Sequence, residues 1–306
     1  ERRSTKFGAR GAVEPKRAAS RRPTSVMLQR GLFRAARGAG ARRAFSKDCC
    51  DDRHLDQLFA NNKLWVDKKN REEPEFFKNL AKGQSPSFLY IGCSDSRVAV
   101  TEIIGIELGE LFVHRNVANL VVSTDLNLLS VLTYAVAHLD VKHILVTGHY
   151  DCGGIRAAMK NEDLGALDGW LQNIRDVYRL HKTELNAIED DELRHRRLVE
   201  INIAEQCLNL YKTNVVQRRR LETHSDPDQP VAYPRIHGLV FDPADGVLHK
   251  LPIDFKQHIG ELSSIYDLFD SSASKGDDDQ GHYMLKKKWP ARMAPPAKGT
   301  AQNPVD

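Results

Sequence analysis

The chain has 306 residues, room for one α/β domain with extensions at either side. At 41% hydrophobic and 28% charged it can bury a substantial core, and no stretch approaches the 18 or so unbroken apolar residues of a membrane span. The net charge of +4 hides an asymmetry: residues 1–46 hold 13 Lys and Arg against two acids, so the remainder is acidic by seven charges.

That amino-terminal arm, residues 1–47, is rich in Arg, Ala and Ser and has few aromatics for base stacking, Phe7, Phe33 and Phe45 alone. It reads as an organelle transit peptide, with the mitochondrial matrix as the expected destination and chloroplast or cytoplasm as alternatives. No nucleic-acid partner is expected. The five cysteines, at 49, 50, 93, 152 and 207, form an odd and unpatterned set, which argues against a secreted disulfide scaffold and leaves thiolates free for a metal.

Apolar residues at Leu55, Leu58, Phe59, Leu64 and Trp65 have near-helical spacing across residues 51–67, and 74–80 reads as a further helical turn. Residues 88–92 (FLYIG) form a buried strand, 98–104 a helix and 111–113 a short strand. Residues 125–139 read as a helix capped by Asp125, with an apolar stripe through Leu128, Leu132 and Val136. A second buried strand follows at 143–148 (HILVTG), then a helix at 153–160. Long helices are expected at 169–182 and 192–217. Residues 236–241 are a strand, Asp245-Gly246 a tight turn, and 247–251 its antiparallel return. The domain spans 48–270; residues 271–306 read as a disordered polar tail. The fold class is α/β: a mostly parallel β-sheet flanked by helices.

Two motifs fall at strand exits, where ligands gather in such sheets. Cys93-Ser94-Asp95-Ser96-Arg97 follows the first buried strand, and His149-Tyr150-Asp151-Cys152-Gly153-Gly154 follows the second. Cys93, His149 and Cys152 make a Cys₂His set; catalytic zinc commonly takes three protein ligands and keeps a fourth position open. Asp95 and Arg97, two apart in an extended turn, share a face and suit a bidentate ion pair that keeps the carboxylate ionised. Taken singly, each residue has a plainer reading: a buried Cys as core, a His as structural, the Asp–Arg pair as a turn brace. Their joint position at strand exits favours the metal.

The combination of CSDSR, HYDCGG and the intervening GELFVHRNVANLV resembles the β-class carbonic anhydrases, nearest the bacterial-type branch also found in algae and fungi, over roughly residues 55–251. The resemblance implies one zinc ion per chain on Cys93, His149 and Cys152, with Asp95 and Arg97 as a catalytic dyad. It implies Gln84, Phe112, Val117, Tyr134 and Gly153 beside the substrate. The activity implied is reversible hydration of carbon dioxide to bicarbonate by hydroxide generated at the zinc; the alternative is a related zinc hydrolase of carbon disulfide or carbonyl sulfide. A homodimer is implied, joined by the helical arm at 51–67, that possibly pairs into a tetramer. In relatives whose aspartate closes onto zinc, bicarbonate sits among a Trp, an Arg and a Tyr. Here those positions are Tyr90, Arg115 and Leu208, so an open site is expected. Two further classes fit the sequence less well. A redox dithiol of Cys93 and Cys152 lacks the C-x-x-C spacing, and a non-catalytic zinc or nucleic-acid module is disfavoured by the acidic body. Tyr134, His114 and Cys207 read as packing residues, and the run Arg218–Arg220 as a solvated helix end facing the helix dipole.

Overall fold

The computed structural model describes residues 53–226, 228 and 231–268. The basic arm with Cys49 and Cys50, and the tail from 271, lie outside the described residues. Chain contacts divide at residue 61: the described part of the first unit is the start of α1 (Arg53–Glu72), and the sheet and its covering helices belong to the second unit, from Asn62. No helix among the described residues is long and apolar enough to cross a membrane.

Five strands form one sheet in the order β2-β1-β3-β4-β5. They are β1 (Phe88–Cys93), β2 (Leu111–Asn116), β3 (His143–His149), β4 (Arg235–Phe241) and β5 (Leu248–Lys250). The first four are parallel; β5 returns antiparallel to β4 through the turn holding Gly246 at φ 78°. The strand β1 is buried along nearly its whole length, which is why FLYIGC shows no polar alternation: a parallel strand covered on both faces needs apolar side chains on both. From β1 the chain steps to β2 on one side, then crosses to β3 on the other. The order therefore reverses between β1 and β3, and a crevice opens at their carboxyl ends.

Nine further helices complete the described residues: α2 (Phe76–Leu80), α3 (Val100–Ile104), α4 (Leu126–Thr133), α5 (Gly153–Ala158), α6 (Asp168–Leu180), α7 (Lys182–Asn186), α8 (Asp191–Tyr211), α9 (Asn214–Ser225) and α10 (Phe255–Leu262). Asp125 caps α4 as expected, accepting from the amides of Asn127 and Leu128 at 3.0 and 3.3 Å. The expected helix over 125–139 keeps its extent but changes pitch: from Tyr134 to His138 it widens into a π turn, with Leu139 N–H donating to Tyr134 O. The single long helix expected at 192–217 is two. Thr213 takes ψ 139° between α8 and α9, and its hydroxyl donates to Leu210 O at 2.6 Å, closing the first helix at its last turn. The apolar pattern runs on across this break, because both helices bury a face.

The expected solvated basic run is also corrected. Arg219 pairs with Asp140 at 2.7 Å, and Arg220 is 9% exposed, its Nη1 donating to the carbonyls of Ala232 and Pro234. Cys207 is fully buried in the core, as expected, whereas Tyr134 is partly exposed, its ring tilted against that of His138.

The helix α8 lies over β3 and β4, and Ile203 is its contact point. The Ile203 side chain occupies the space that a methyl group on Gly148 would take, with Cδ1 at 2.7 Å and Cγ1 at 2.8 Å from that position, and it lies as near as 3.1 Å to the equivalent point on Gly238. Two glycines in adjacent strands, offset by two residues (Gly148 opposite Val240, Gly238 opposite Val146), thus make the flat patch on which the central helix sits. Replacing Gly148 with Ala overpacks this seam and costs about 1–3 kcal/mol. Pairing it with Ile203→Ala destabilises by less than the sum of the two single changes, read from denaturant unfolding of all four proteins. Strict additivity would show that the seam does not couple them.

Candidate active site

The crevice at the β1/β3 switch receives both motifs. Cys93 ends β1 and His149 ends β3. Asp151 then takes the left-handed conformation, φ 54°, which folds the chain back so that Cys152 faces His149 just before α5 begins at Gly153. Asp is among the few residues that tolerate this region. Cys93, His149 and Cys152 are buried, and their ligand atoms all lie within 4.8 Å of one another. The two sulfurs are 3.9 Å apart. That is far beyond a disulfide bond and close to the ~3.8 Å edge of a tetrahedron with zinc–sulfur bonds of ~2.3 Å.

The imidazole is prepared to ligate. His149 Nδ1 lies 2.9 Å from the carbonyl of Tyr150, which can only accept, so the proton sits on Nδ1 and the lone pair on Nε2. Nε2 is buried and has no hydrogen-bond partner. A buried, unpartnered acceptor beside two sulfurs fits a soft cation that takes N and S donors. Cys93 bears the thiolate of the pair: the Cys152 thiol, then the His149 side chain and the amides of Ala118 and Asp95, lower its pKa against the opposing effect of burial. The same Cys93 contact and burial push Cys152 upward. Burial works to lower His149, but the Cys93 sulfur and the Asp95 carboxylate outweigh it and raise it.

Asp95 and Arg97 form the expected fork. Arg97 Nε and Nη2 donate to Oδ1 and Oδ2 of Asp95 at 3.0 and 2.8 Å, and the Arg97 amide adds a third bond at 2.9 Å. These contacts, the guanidinium first, hold Asp95 down at about 2. Its Oδ2 stands 3.8 Å from His149 Nε2, on the rim of the metal-donor triangle. The other side of Arg97 reaches the second motif, donating to Asp151 Oδ2 at 3.1 Å and Asp151 O at 3.0 Å.

Sequence reading left the supports of this site unassigned. Arg115 donates to the carbonyls of Cys93 and Asp95 at 2.8 and 2.7 Å, so it braces the first motif. Asp151, quoted in the motif without a role, links Arg97 to Arg156, which continues to Glu192 at 2.9 Å. His195 of α8 is fully buried, and its Nε2 donates to the Cys152 carbonyl at 3.2 Å; a lone His in an amphipathic helix carries no signal for this. Ala118 sits at φ 65°, completely buried, which aims its amide at the Cys93 sulfur.

The expected pocket residues separate. Val117 follows β2 and packs against the start of α5, where its Cγ1 would stand 2.8 Å from a methyl group placed on Gly154. Its carbonyl accepts from the Trp170 indole at 2.9 Å. Phe112 and Tyr134 stack on each other with ring centres 5.7 Å apart. Gln84 lines a different cavity, of about 510 Å³, with Phe76, Leu80 and Leu108, and none of the three metal-donor residues lines it. Tyr90 and Leu208 are buried, and the Tyr90 hydroxyl has no partner.

Comparison with known proteins agrees with this geometry. The carbonic anhydrase family model matches residues 88–248. A carbonic anhydrase of Emericella nidulans is 52% identical over 218 residues, 71% of this chain and 92% of that protein. Among solved structures, the β-carbonic anhydrase CafA of Aspergillus fumigatus is 36% identical with a TM-score of 0.61, covering 70% of this chain and 99% of that one. One of two tetrameric β-carbonic anhydrases of Sordaria macrospora is likewise 36% identical, TM-score 0.60, over 65% of this chain and 97% of that one. The chain belongs to the β-class carbonic anhydrase family.

Proposed function

We propose that the crevice between β1 and β3 hydrates carbon dioxide reversibly to bicarbonate with one zinc ion per chain, held by Cys93, His149 and Cys152. The observation that carries this is the buried, unpartnered Nε2 of His149 facing two sulfurs 3.9 Å apart. Zinc, when bound, supplies a Lewis acid that makes a water nucleophilic near neutral pH. Asp95 accepts a hydrogen from the attacking oxygen and turns its lone pair toward the carbon. Held at about 2, the carboxylate is ionised across the physiological range and accepts without first losing a proton. Arg97 fixes both of its oxygens, so Asp95 stays off the metal at neutral pH and the site is open. Val117, beside the first turn of α5, offers an apolar surface for a linear, nonpolar substrate. Carbon dioxide is preferred to carbon disulfide or carbonyl sulfide because the family model and the relatives compared are carbonic anhydrases.

The remaining pocket residues point to more than one chain. Gln84 lies in a cavity of its own, and we assign it, with Phe112 and Tyr134, to a site completed by a second copy. The helix α1 buries none of its residues and exposes Leu55, Leu58, Phe59 and Leu64. This unpartnered apolar stripe supports its role as the dimerising arm, and the tetrameric Sordaria macrospora enzymes support further pairing. For residues 1–47, Arg-rich composition supports the transit-peptide reading, with the mitochondrial matrix as destination.

Three outcomes test these readings. Cys152→Ala loses both zinc, measured by elemental analysis, and carbon dioxide hydration, measured by stopped flow; activity that survived metal loss would sink the proposal. Asp95→Asn keeps its zinc but loses activity, by about 10–100-fold or more, the range typical of groups that tune a metal site. Zinc loss in that variant would instead make Asp95 a structural ligand. Leu58→Asp with Phe59→Asp shifts the species seen by light scattering toward monomer and lowers activity per zinc, whereas deletion of residues 1–46 changes neither; an unchanged assembly in the first variant removes α1 from the interface.

A further inference from the structure

At the end of the sheet opposite the metal-donor triangle, the start of β4, the β5 strand and α10 enclose a cavity of about 550 Å³. Small-molecule sites span roughly 300–1,000 Å³. Its floor is apolar, built from Ile236, Leu251, Ile253 and Ile259 with the Phe255 ring. That ring lies 5.9 Å from the ring of Tyr211, so the floor includes an aromatic pair.

The charged lining is of one sign. Arg220, Arg235, Lys250 and Lys256 line the cavity, and no Asp or Glu does. Among the described residues no carboxylate forms an ion pair with Arg235, Lys250 or Lys256, and all three are exposed. The nearest acid in sequence, Asp254, is engaged elsewhere: its carboxylate caps α10, accepting from the Gln257 amide at 3.0 Å. Arg220 is held in place by the carbonyls of Ala232 and Pro234. The site described above is different, since there each arginine is met by carboxylates or carbonyls. Outside the basic arm the chain has an excess of acids, so a cavity lined only by bases runs against its composition. His237, on the same wall, responds to this field. Burial first, then the charges of His143, Lys250 and Arg235, lower its pKa to about 4. It is therefore neutral near pH 7, and its Nε2 is shared with His143 Nδ1 at 3.0 Å.

Arg235, Lys250 and Lys256, which have no carboxylate partner among the described residues and line a cavity with an apolar floor, suit a molecule that is apolar at one end and carries more than one negative charge at the other. We propose that this cavity binds a small soluble phosphate monoester with an apolar body, its dianionic head among Arg235, Lys250 and Lys256 and its body on the Phe255–Tyr211 floor. The volume admits a ring-sized body. The inference does not rest on the metal site, which lies at the other end of β3 and β4.

Phenyl phosphate is the probe. Full-length zinc-loaded enzyme is titrated with it calorimetrically at physiological salt, where purely superficial charge attraction is screened. The expected result is saturable binding of one molecule per chain, with inorganic phosphate and phenol each at least about tenfold weaker. The His237 ring proton resonance moves along the same saturation curve. Lys250→Ala with Lys256→Ala weakens binding about tenfold or more and leaves carbon dioxide hydration unchanged, since both side chains are exposed and remote from the crevice. Three results overturn the proposal. The first is no saturable binding by the wild type, as when a second copy or residues 269–306 close the cavity. The second is binding that the double variant does not weaken, which places the phosphate at the zinc. The third is a His237 resonance that stays still while heat is released.

Discussion

The lone pair of His149 Nε2 is the constraint on which the site is built. A buried acceptor left without a partner costs on the order of 1–3 kcal/mol, and here its neighbours are the two sulfurs of Cys93 and Cys152. The fold holds it there through the Tyr150 carbonyl, which fixes the Nδ1 proton and turns the other nitrogen inward. Two backbone distortions serve the same triangle. Ala118 is non-glycine and left-handed, at about 1–2 kcal/mol for such a residue, and it delivers an amide to Cys93. Asp151 takes the same region to close the turn between His149 and Cys152. Strain of this kind persists only where the surroundings over-determine it, and here they do: β1, β3, α5 and α8 all contribute contacts to one small volume.

Arg97 joins the metal-donor triangle to the Asp95 carboxylate. One face of its guanidinium holds Asp95 by two bonds, and the other holds the side chain and carbonyl of Asp151. The two motif loops, 54 residues apart in sequence, are therefore locked by a single planar cation. A lysine could supply the charge but not the fixed fork that satisfies both loops at once. Arg115 adds a second brace from beneath, bonding to the Cys93 and Asp95 carbonyls. Metal donors and acceptor are thus parts of one rigid unit, as orientation-dependent catalysis requires.

Much of this was legible in the sequence because it is local. The buried strands announce themselves as apolar runs, and each ends in a motif whose donors lie within four residues of one another or at a strand exit. The Asp125 cap and the Asp95–Arg97 pair follow from spacing alone. What the sequence concealed is what depends on distant partners. Thr213 splits one apolar-patterned segment into α8 and α9 by a hydroxyl-to-carbonyl bond that hydrophobic periodicity cannot register. Arg220 looked like surface and is buried, because the carbonyls it satisfies come from a loop 12 and 14 residues away. His195 touches Cys152 only because α8 crosses the sheet. Gln84 was named by resemblance alone, and it lines a cavity that none of the three metal donors lines.

The sheet has two chemically different ends, and the strand directions explain why they do not interfere. At the carboxyl ends of β1 and β3, cations and anions are matched: Arg97, Arg156 and Arg115 are all engaged by carboxylates or carbonyls, which leaves one ionised acceptor and one lone pair facing the crevice. At the amino end of β4, Arg235 is unmatched and the nearby His237 is kept neutral, while the equally unmatched Lys250 lies on β5 opposite Leu239. Exposed charges separated by more than the Debye length of about 8 Å are largely screened at physiological ionic strength, and β4, seven residues long, holds Arg235 roughly 20 Å from its carboxyl end at ~3.3 Å per residue. The Arg235 end of the basic wall is thus set apart from the Asp95 carboxylate, so one sheet carries a crevice whose charges are matched and a cavity lined by bases that are not.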